Sequence, residues 1–237
     1  MGSFGTKLQN FWNIFANAGG YRTVLEGLRN TILIAVIGLL IGIVIGTLLA
    51  VIRVFPKYRR LPRVLNGIAN VYVGLFRGTP VVVQLLVAYY VLLPLLGANL
   101  PSLNVCVLVF GLNSGAYVSE IMRSGIQSVD PGQLEAGRAV GLSYSVAMTR
   151  IVVPQAIKNI LPTLGNEFIA LIKETSVVSF VGALDLYVAF NRIGTNSYEF
   201  MVPYLVMALI YIVLVLLITL LIRIMERSLK KDRKSVV

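Results

Sequence analysis

TILIAVIGLLIGIVIGTLLAVI, from Thr31 to Ile52, is an apolar run with no charged residue. Its length meets the roughly 20 residues that an α-helix needs to cross a ~30 Å hydrocarbon layer. Gly38, Gly42, Gly46 and Ala50 recur every fourth residue along it. Between helices in lipid there is no apolar driving force, so such a small-residue stripe promotes contact by letting two backbones approach. It suits either packing within the subunit or a seam with a second chain.

Working outward, four more runs have the same character. The second covers at least Val81 to Leu95, entered by a helix from Leu65 to Phe76. The third runs from Leu103 to Met122, the fourth from Pro154 to Ile172 and the fifth from Val202 to Ile222. The 57% hydrophobic content exceeds the roughly 45–50% of soluble domains. The expected fold is an all-α integral membrane protein with five transmembrane helices. Residues 1–30 form an N-terminal interfacial segment, 31–229 a single transmembrane domain and 230–237 a basic tail. Phe4, Leu8, Phe11, Trp12 and Phe15 fall at helical spacing, as in an amphipathic stretch lying at an interface. Residues 1–20 lack the apolar core of a cleavable signal peptide, and the loose myristoylation pattern at Met1-Gly2 carries little weight.

The net charge of +11 is placed as a topology signal and not as a nucleic-acid surface. Arg53, Lys57, Arg59, Arg60 and Arg63 follow the first span, and Arg223, Arg227, Lys230, Lys231, Arg233 and Lys234 follow the last. The positive-inside rule sets both clusters in the cytoplasm, where they also meet anionic lipid. With five spans the N-terminus is then outside and the C-terminus cytoplasmic, and the uncharged Gly97–Pro101 loop is external. Cys106 is the only cysteine and histidine is absent, which excludes an intrachain disulfide and a Cys/His metal centre. No G-x-x-x-x-G-K-[ST] loop occurs, so nucleotide hydrolysis belongs to another chain.

Between the third and fourth spans, residues 130–154 break the apolar pattern. Asp130 is placed to cap a short helix, Pro131 suits its first turn, and Gly141 suits a left-handed stop. Ser143 starts a second short helix through Tyr144, Met148 and Arg150, until Pro154 opens the next run. This predicts a compact cytoplasmic projection. It resembles the E-A-A, three residues, G, nine residues, I-x-L-P signature of permease subunits of bacterial ABC importers. Glu135, Ala136, Gly141, Ile151 and Pro154 match it, while Gly137 stands for the second Ala and Val153 for the Leu. Phe76-Arg77-Gly78-Thr79-Pro80, Ala116-Tyr117-Val118-Ser119-Glu120, Val153-Pro154-Gln155-Ala156 and Leu171-Ile172-Lys173-Glu174-Thr175-Ser176 are similar to the polar amino acid branch, from about Gly20 to the last helix.

The resemblance implies a subunit of the bacterial inner membrane that does no chemistry itself. It forms half of a homo- or heterodimer of permeases importing a polar amino acid by alternating access. ATP-binding cassette subunits, holding ATP and magnesium, dock on a coupling helix built from Gln133, Glu135, Ala136, Gly137, Gly141 and Leu142 up to Pro154. An extracytoplasmic solute-binding protein delivers the cargo.

Polar groups at membrane depth are costly and point to a cavity or a partner. Asn113 lies ~16 Å down the third helix and shares a face with Tyr117, Glu120 and Ser124. Glu167 lies ~20 Å along the fourth helix, beside Asn166, with Thr175, Ser176 and Ser179 further on. A zwitterionic amino acid needs an acceptor, for which Glu167 is the candidate, and donors, for which Asn113, Thr175 and Ser176 are candidates. Glu120 and Tyr117 complete the set. Structural alternatives stand beside these roles: Glu120 pairs with Arg123, Glu167 pairs with Lys173 or Lys158, and Lys158 snorkels. Phe76–Pro80 reads as a helix interruption, either a hinge or a mount for Arg77. Asp185, Arg192, Asn196 and Glu199 fall in an outer loop, to meet a receptor or to solvate the loop.

Rival functions fit the residues less well, and a purely structural subunit would not require polar faces at mid-depth. An intramembrane enzyme lacks a histidine, a G-x-S-x-G elbow and an aspartate pair. A stand-alone ion-coupled carrier using Glu120 and Glu167 lacks visible inverted repeats.

Overall fold

The computed structural model describes residues 3–54 and 60–234, the side chains of 229–234 excepted. Lys57 and Arg59, the start at Met1-Gly2 and the side chains of the basic tail lie outside the described residues. Those described form helices and no strands.

Helix α1 (Phe4–Trp12) passes through one wide turn (Asn13–Asn17) to α2 (Gly20–Val54). Residues 20–30, grouped on sequence with the interfacial segment, are the first turns of α2. The helix starts before the apolar run because Val24 and Gly27 are already buried. Gly27 lies against the Asp185 carbonyl, where a Cβ would come within 2.4 Å of the oxygen. Phe11 is buried beside Val24, while Phe4, Leu8 and Trp12 remain exposed.

The second run is two helices. α3 (Arg60–Gly78) and the stretch α4 (Val81–Val87), a wide turn (Ala88–Leu92) and α5 (Leu93–Leu95) meet at 105°. Pro80 removes a donor at the corner, and Gln84 replaces what is lost. Its amide donates to the Phe76 and Thr79 carbonyls at 2.8 and 3.0 Å and to the Thr79 hydroxyl at 2.9 Å.

α6 (Ser102–Gln127) is the centre of the bundle, with α2, α3–α4 and α9 around it. After it come α7 (Pro131–Ala139), α8 (Tyr144–Ala147) and α9 (Val153–Glu174), then a 3₁₀ turn (Thr175–Val181), α10 (Leu186–Ser197) and α11 (Met201–Lys234). No break precedes Pro154, because a wide turn (Met148–Val152) carries α8 straight into α9.

Among the described residues, α2, α6 and α11 are each long and apolar enough to cross a membrane, and the bent pair adds a fourth if it is counted as one broken span. α9 has the length for a fifth, ~33 Å at ~1.5 Å per residue, and carries Lys158, Glu167, Lys173 and Glu174.

The glycine stripe of α2 packs within the chain. A Cβ on Gly42 would meet Ser114 Oγ at 2.6 Å, and one on Gly46 would meet Val118 Cγ1 at 2.6 Å and the Ser119 nitrogen at 2.8 Å. The expected outer loop is largely α10. Asp185 is not on its surface but fully buried, its Oδ1 accepting from the Val188 amide at 2.8 Å as the N-cap. Burial pushes this carboxyl up to about 6, with the Val188 and Tyr187 amides opposing. The apolar side of α10, with Leu186, Ala189, Phe190 and Ile193, drew the loop inward against α2 and α11.

Candidate functional site

Two assemblies carry the chemistry. The first is the projection between α6 and α9. The Asp130 carboxylate accepts from the Gly132 amide at 2.8 Å and caps α7 with Pro131 in its first turn. At the other end Gly141 takes φ +89°. The Leu142 amide donates to the Gly137 carbonyl at 3.1 Å and the Gly141 amide to the Arg138 carbonyl at 3.0 Å, a Schellman closure. Ser143 Oγ accepts from the Val146 amide and starts α8.

The projection is docked, not free. Gly137 sits so close to Ile151 that a Cβ would come within 2.7 Å of Cδ1. Gln155 donates to Gln133 at 3.3 Å, and Asn159 donates to Ser128 Oγ at 2.9 Å, holding α9 to the end of α6. Glu135, Ala136, Ala139 and Val140 face outward, Val140 with 79% of its surface free.

The second assembly runs along the face of α6 toward α3 and α4. Buried Asn113 donates to Gln84 Oε1 at 3.0 Å and is 3.4 Å from the Phe76 carbonyl. One turn on, the Arg77 guanidinium lies over the Tyr117 ring at 5.5 Å. Next, Glu120 gathers arginines from three helices. Arg53 Nη1 is 2.5 Å from Oε1, Arg123 Nη2 is 2.7 Å from Oε2, and Arg77 Nη1 stands off at 3.8 Å. The structural pairing of Glu120 with Arg123 is therefore present, within a larger network than the sequence disclosed.

Glu167 pairs with neither Lys173 nor Lys158 among the described residues; it accepts from Ser114 Oγ at 3.1 Å. Glu167 thus meets α6 at Ser114, which lies toward α2 and off the face that carries Asn113, Tyr117 and Glu120. Thr175 is fully enclosed, its hydroxyl donating to the Ile172 carbonyl at 2.8 Å, and Ser176 donates to the Lys173 carbonyl at 3.3 Å. Neither joins the Asn113–Glu120 strip. Sequence reasoning missed Gln84, Ser114 and Arg53. Gln84, the one amide in the Val81–Leu95 run, was open to the same depth argument that singled out Asn113.

This fold superimposes on the crystal structure of an amino acid ABC transporter with histidines, at TM-score 0.83 and 37% identity over 91% of this chain and 98% of that one. The MetNI methionine ABC transporter, at TM-score 0.67 and 19% identity, shares the fold. The protein is thus of the class of helical membrane components of transport systems. Residues 38–231 match the model of the binding-protein-dependent transport system inner membrane component, and the chain belongs to that family. The putative glutamine transport system permease protein GlnP of Rickettsia prowazekii is 40% identical over 185 residues, 78% of this chain and 83% of the relative. The arginine transport system permease protein ArtQ of Bacillus subtilis is 39% identical over 207 residues, 87% and 92% respectively.

Proposed function

We propose that this chain is the permease subunit of an ATP-driven importer for a polar amino acid, working by alternating access as half of a permease dimer. ATP-binding subunits dock on α7 from the cytoplasm, and a solute-binding protein delivers from outside. The N-terminus is then external and the C-terminus cytoplasmic, in a bacterial inner membrane. The catalytic groups, ATP and magnesium lie in the ATPase partners.

The observation that carries this reading is the build of the projection. α7 is capped at both ends and clamped on Ile151 through Gly137, yet its outer side, with Val140, is left uncovered. A rigid, docked helix with an open face transmits a push; a slack loop absorbs it. Moving a two-state equilibrium from 1:99 to 99:1 takes about 5.5 kcal/mol of differential binding, which an ATPase pair closing on two such helices supplies. Saturation of Glu120 by arginines speaks against its use as the ion site of a stand-alone carrier.

Gly141→Val tests the lever. A Cβ there meets no neighbour within 4 Å, so the whole effect comes from forcing a β-branched residue to φ +89°, about 1–2 kcal/mol of strain at this closure. In proteoliposomes with ion gradients collapsed, the variant is expected to lose ATP-driven uptake while keeping the bundle's thermal unfolding. Undiminished uptake would remove the lever, and wild-type uptake that follows an ion gradient without ATP would establish the carrier.

A further inference from the structure

The sequence reading gave the cargo's carboxylate to Asn113, Thr175 and Ser176. In the folded chain all three donate elsewhere, to Gln84, Ile172 and Lys173. A carboxylate in a membrane protein needs donors that remain available.

The arginines around Glu120 differ in this respect. Arg53 is fixed by Glu120, by Asn70 at 3.0 Å and by Ser119 at 3.3 Å. Arg123 holds Glu120 through two nitrogens, at 3.0 and 2.7 Å, and Gln127 at 2.7 Å. Arg77 makes no hydrogen bond among the described residues. Its side chain is 45% exposed, and at 3.8 Å from Glu120 it stands beyond hydrogen-bonding reach. Three guanidiniums against one carboxylate leave the cluster two positive charges in surplus.

Arg77 is also oriented. It closes α3 at the 105° corner, and its guanidinium lies over the Tyr117 ring, an arrangement that steadies its plane. A planar guanidinium offers two parallel N–H groups to the two oxygens of a carboxylate, which a lysine cannot do. The charge of Glu120 is already answered by Arg53 and Arg123, so the Arg77 charge stands uncompensated.

We infer that Arg77 is the specificity-determining residue that binds the α-carboxylate of the cargo, with Tyr117 positioning it and the Glu120 network holding the corner of α3 beside it. The assignment rests on the permease reading. A free α-carboxylate is then the common requirement of every cargo. A lipid phosphate has the same oxyanion chemistry, and the test separates the two.

The assay is ATP-dependent uptake by the importer purified with its ATPase partners and reconstituted in phosphatidylcholine vesicles. L-glutamine and L-arginine are each compared with their α-carboxamides. Wild type is expected to favour the free acid by about ten- to a hundredfold. Arg77→Met is expected to raise KM for the acid by a similar factor and to bring the acid-to-amide ratio near one, with Arg77→Lys between. An unchanged ratio in Arg77→Met would overturn the assignment. So would a defect that appears only when phosphatidylglycerol is included and leaves the ratio unchanged, since the anion would then be lipid. Should Arg77→Met fail to retain its ATPase partners, Arg77→Lys with wild-type selectivity and KM would overturn it equally. Absence of ATP-driven amino acid uptake by wild type would instead sink the permease reading itself, without reference to Arg77.

Discussion

α6 presents two unlike faces to its neighbours. Toward α2 the contact is dry: Gly42 and Gly46 lie against Ser114, Val118 and the Ser119 backbone with no room for a methyl group. Toward α3 and α4 the contact is made of directional groups, with Asn113 on Gln84 and Tyr117 under Arg77; Glu120 lies at the end of both faces, tied to Arg53 of α2 and to Arg123. A seam closed by shape has one good arrangement, because any shift opens voids or makes clashes. A polar seam exchanges one hydrogen bond for another at small net cost. The α2–α6 pair is therefore the frame, and on the proposed permease reading the α3–α6 side is the one that would accommodate a solute or a change of state.

The comparison breaks first, if it breaks, at Gly46. In Gly46→Leu the new Cβ alone would sit 2.8 Å from the Ser119 nitrogen, which is backbone and cannot turn away. The expected loss is about 3 kcal/mol, read as a large fall in Tm of the detergent-solubilised protein. A Tm unchanged by this substitution would show that the dry seam is not the frame. On the other face, Gln84→Leu leaves the Thr79 carbonyl without the Gln84 amide and reduces the Asn113 amide and the Phe76 carbonyl to their longer bond with each other. About 1–2 kcal/mol is expected from this loss, less than at Gly46, together with a greater effect on uptake than on Tm. The reverse ranking of the two Tm shifts would invert the assignment of frame and working face.

The smallest effect belongs to a contact outside both faces. Lys7 Nζ lies 2.8 Å from Glu199 and ties α1 to the start of α11. The Lys7 hydrogen bond holds the Glu199 carboxyl below the usual carboxylate range. The tie is therefore present above that range and is lost as pH falls through the lowered value. Trp12, the only tryptophan, sits in α1 and reports on it. Its emission is expected to shift on acidification of wild type and to lose that pH dependence in Glu199→Gln. An identical acid shift in both would place the titrating group elsewhere.

Much of this was legible in the chain because the causes are local. The caps at Asp130 and Ser143, the left-handed Gly141 and the corner at Gly78-Thr79-Pro80 each depend on a few consecutive residues. The apolar runs depend only on membrane thickness. The cross-helix partners were not legible. Arg53 and Glu120 are 67 residues apart, Gln84 and Asn113 are 29 apart, and their spacing carries no trace of the contact. Asp185 was misplaced for a related reason: a carboxylate read in isolation belongs to solvent, and only the packing of α10 reveals it as a buried cap.

By itself the sequence determined a membrane-spanning helical chain, the positions of its breaks and a capped projection of the permease type, because helix periodicity, capping and hydrocarbon thickness act over one segment at a time. Only the tertiary structure decided that the glycine stripe is an internal seam, that Glu120 is consumed by arginines and that Arg77 is left available. Those outcomes are set by which helix faces meet, a matter of shape and charge summed over the whole bundle that no single segment contains.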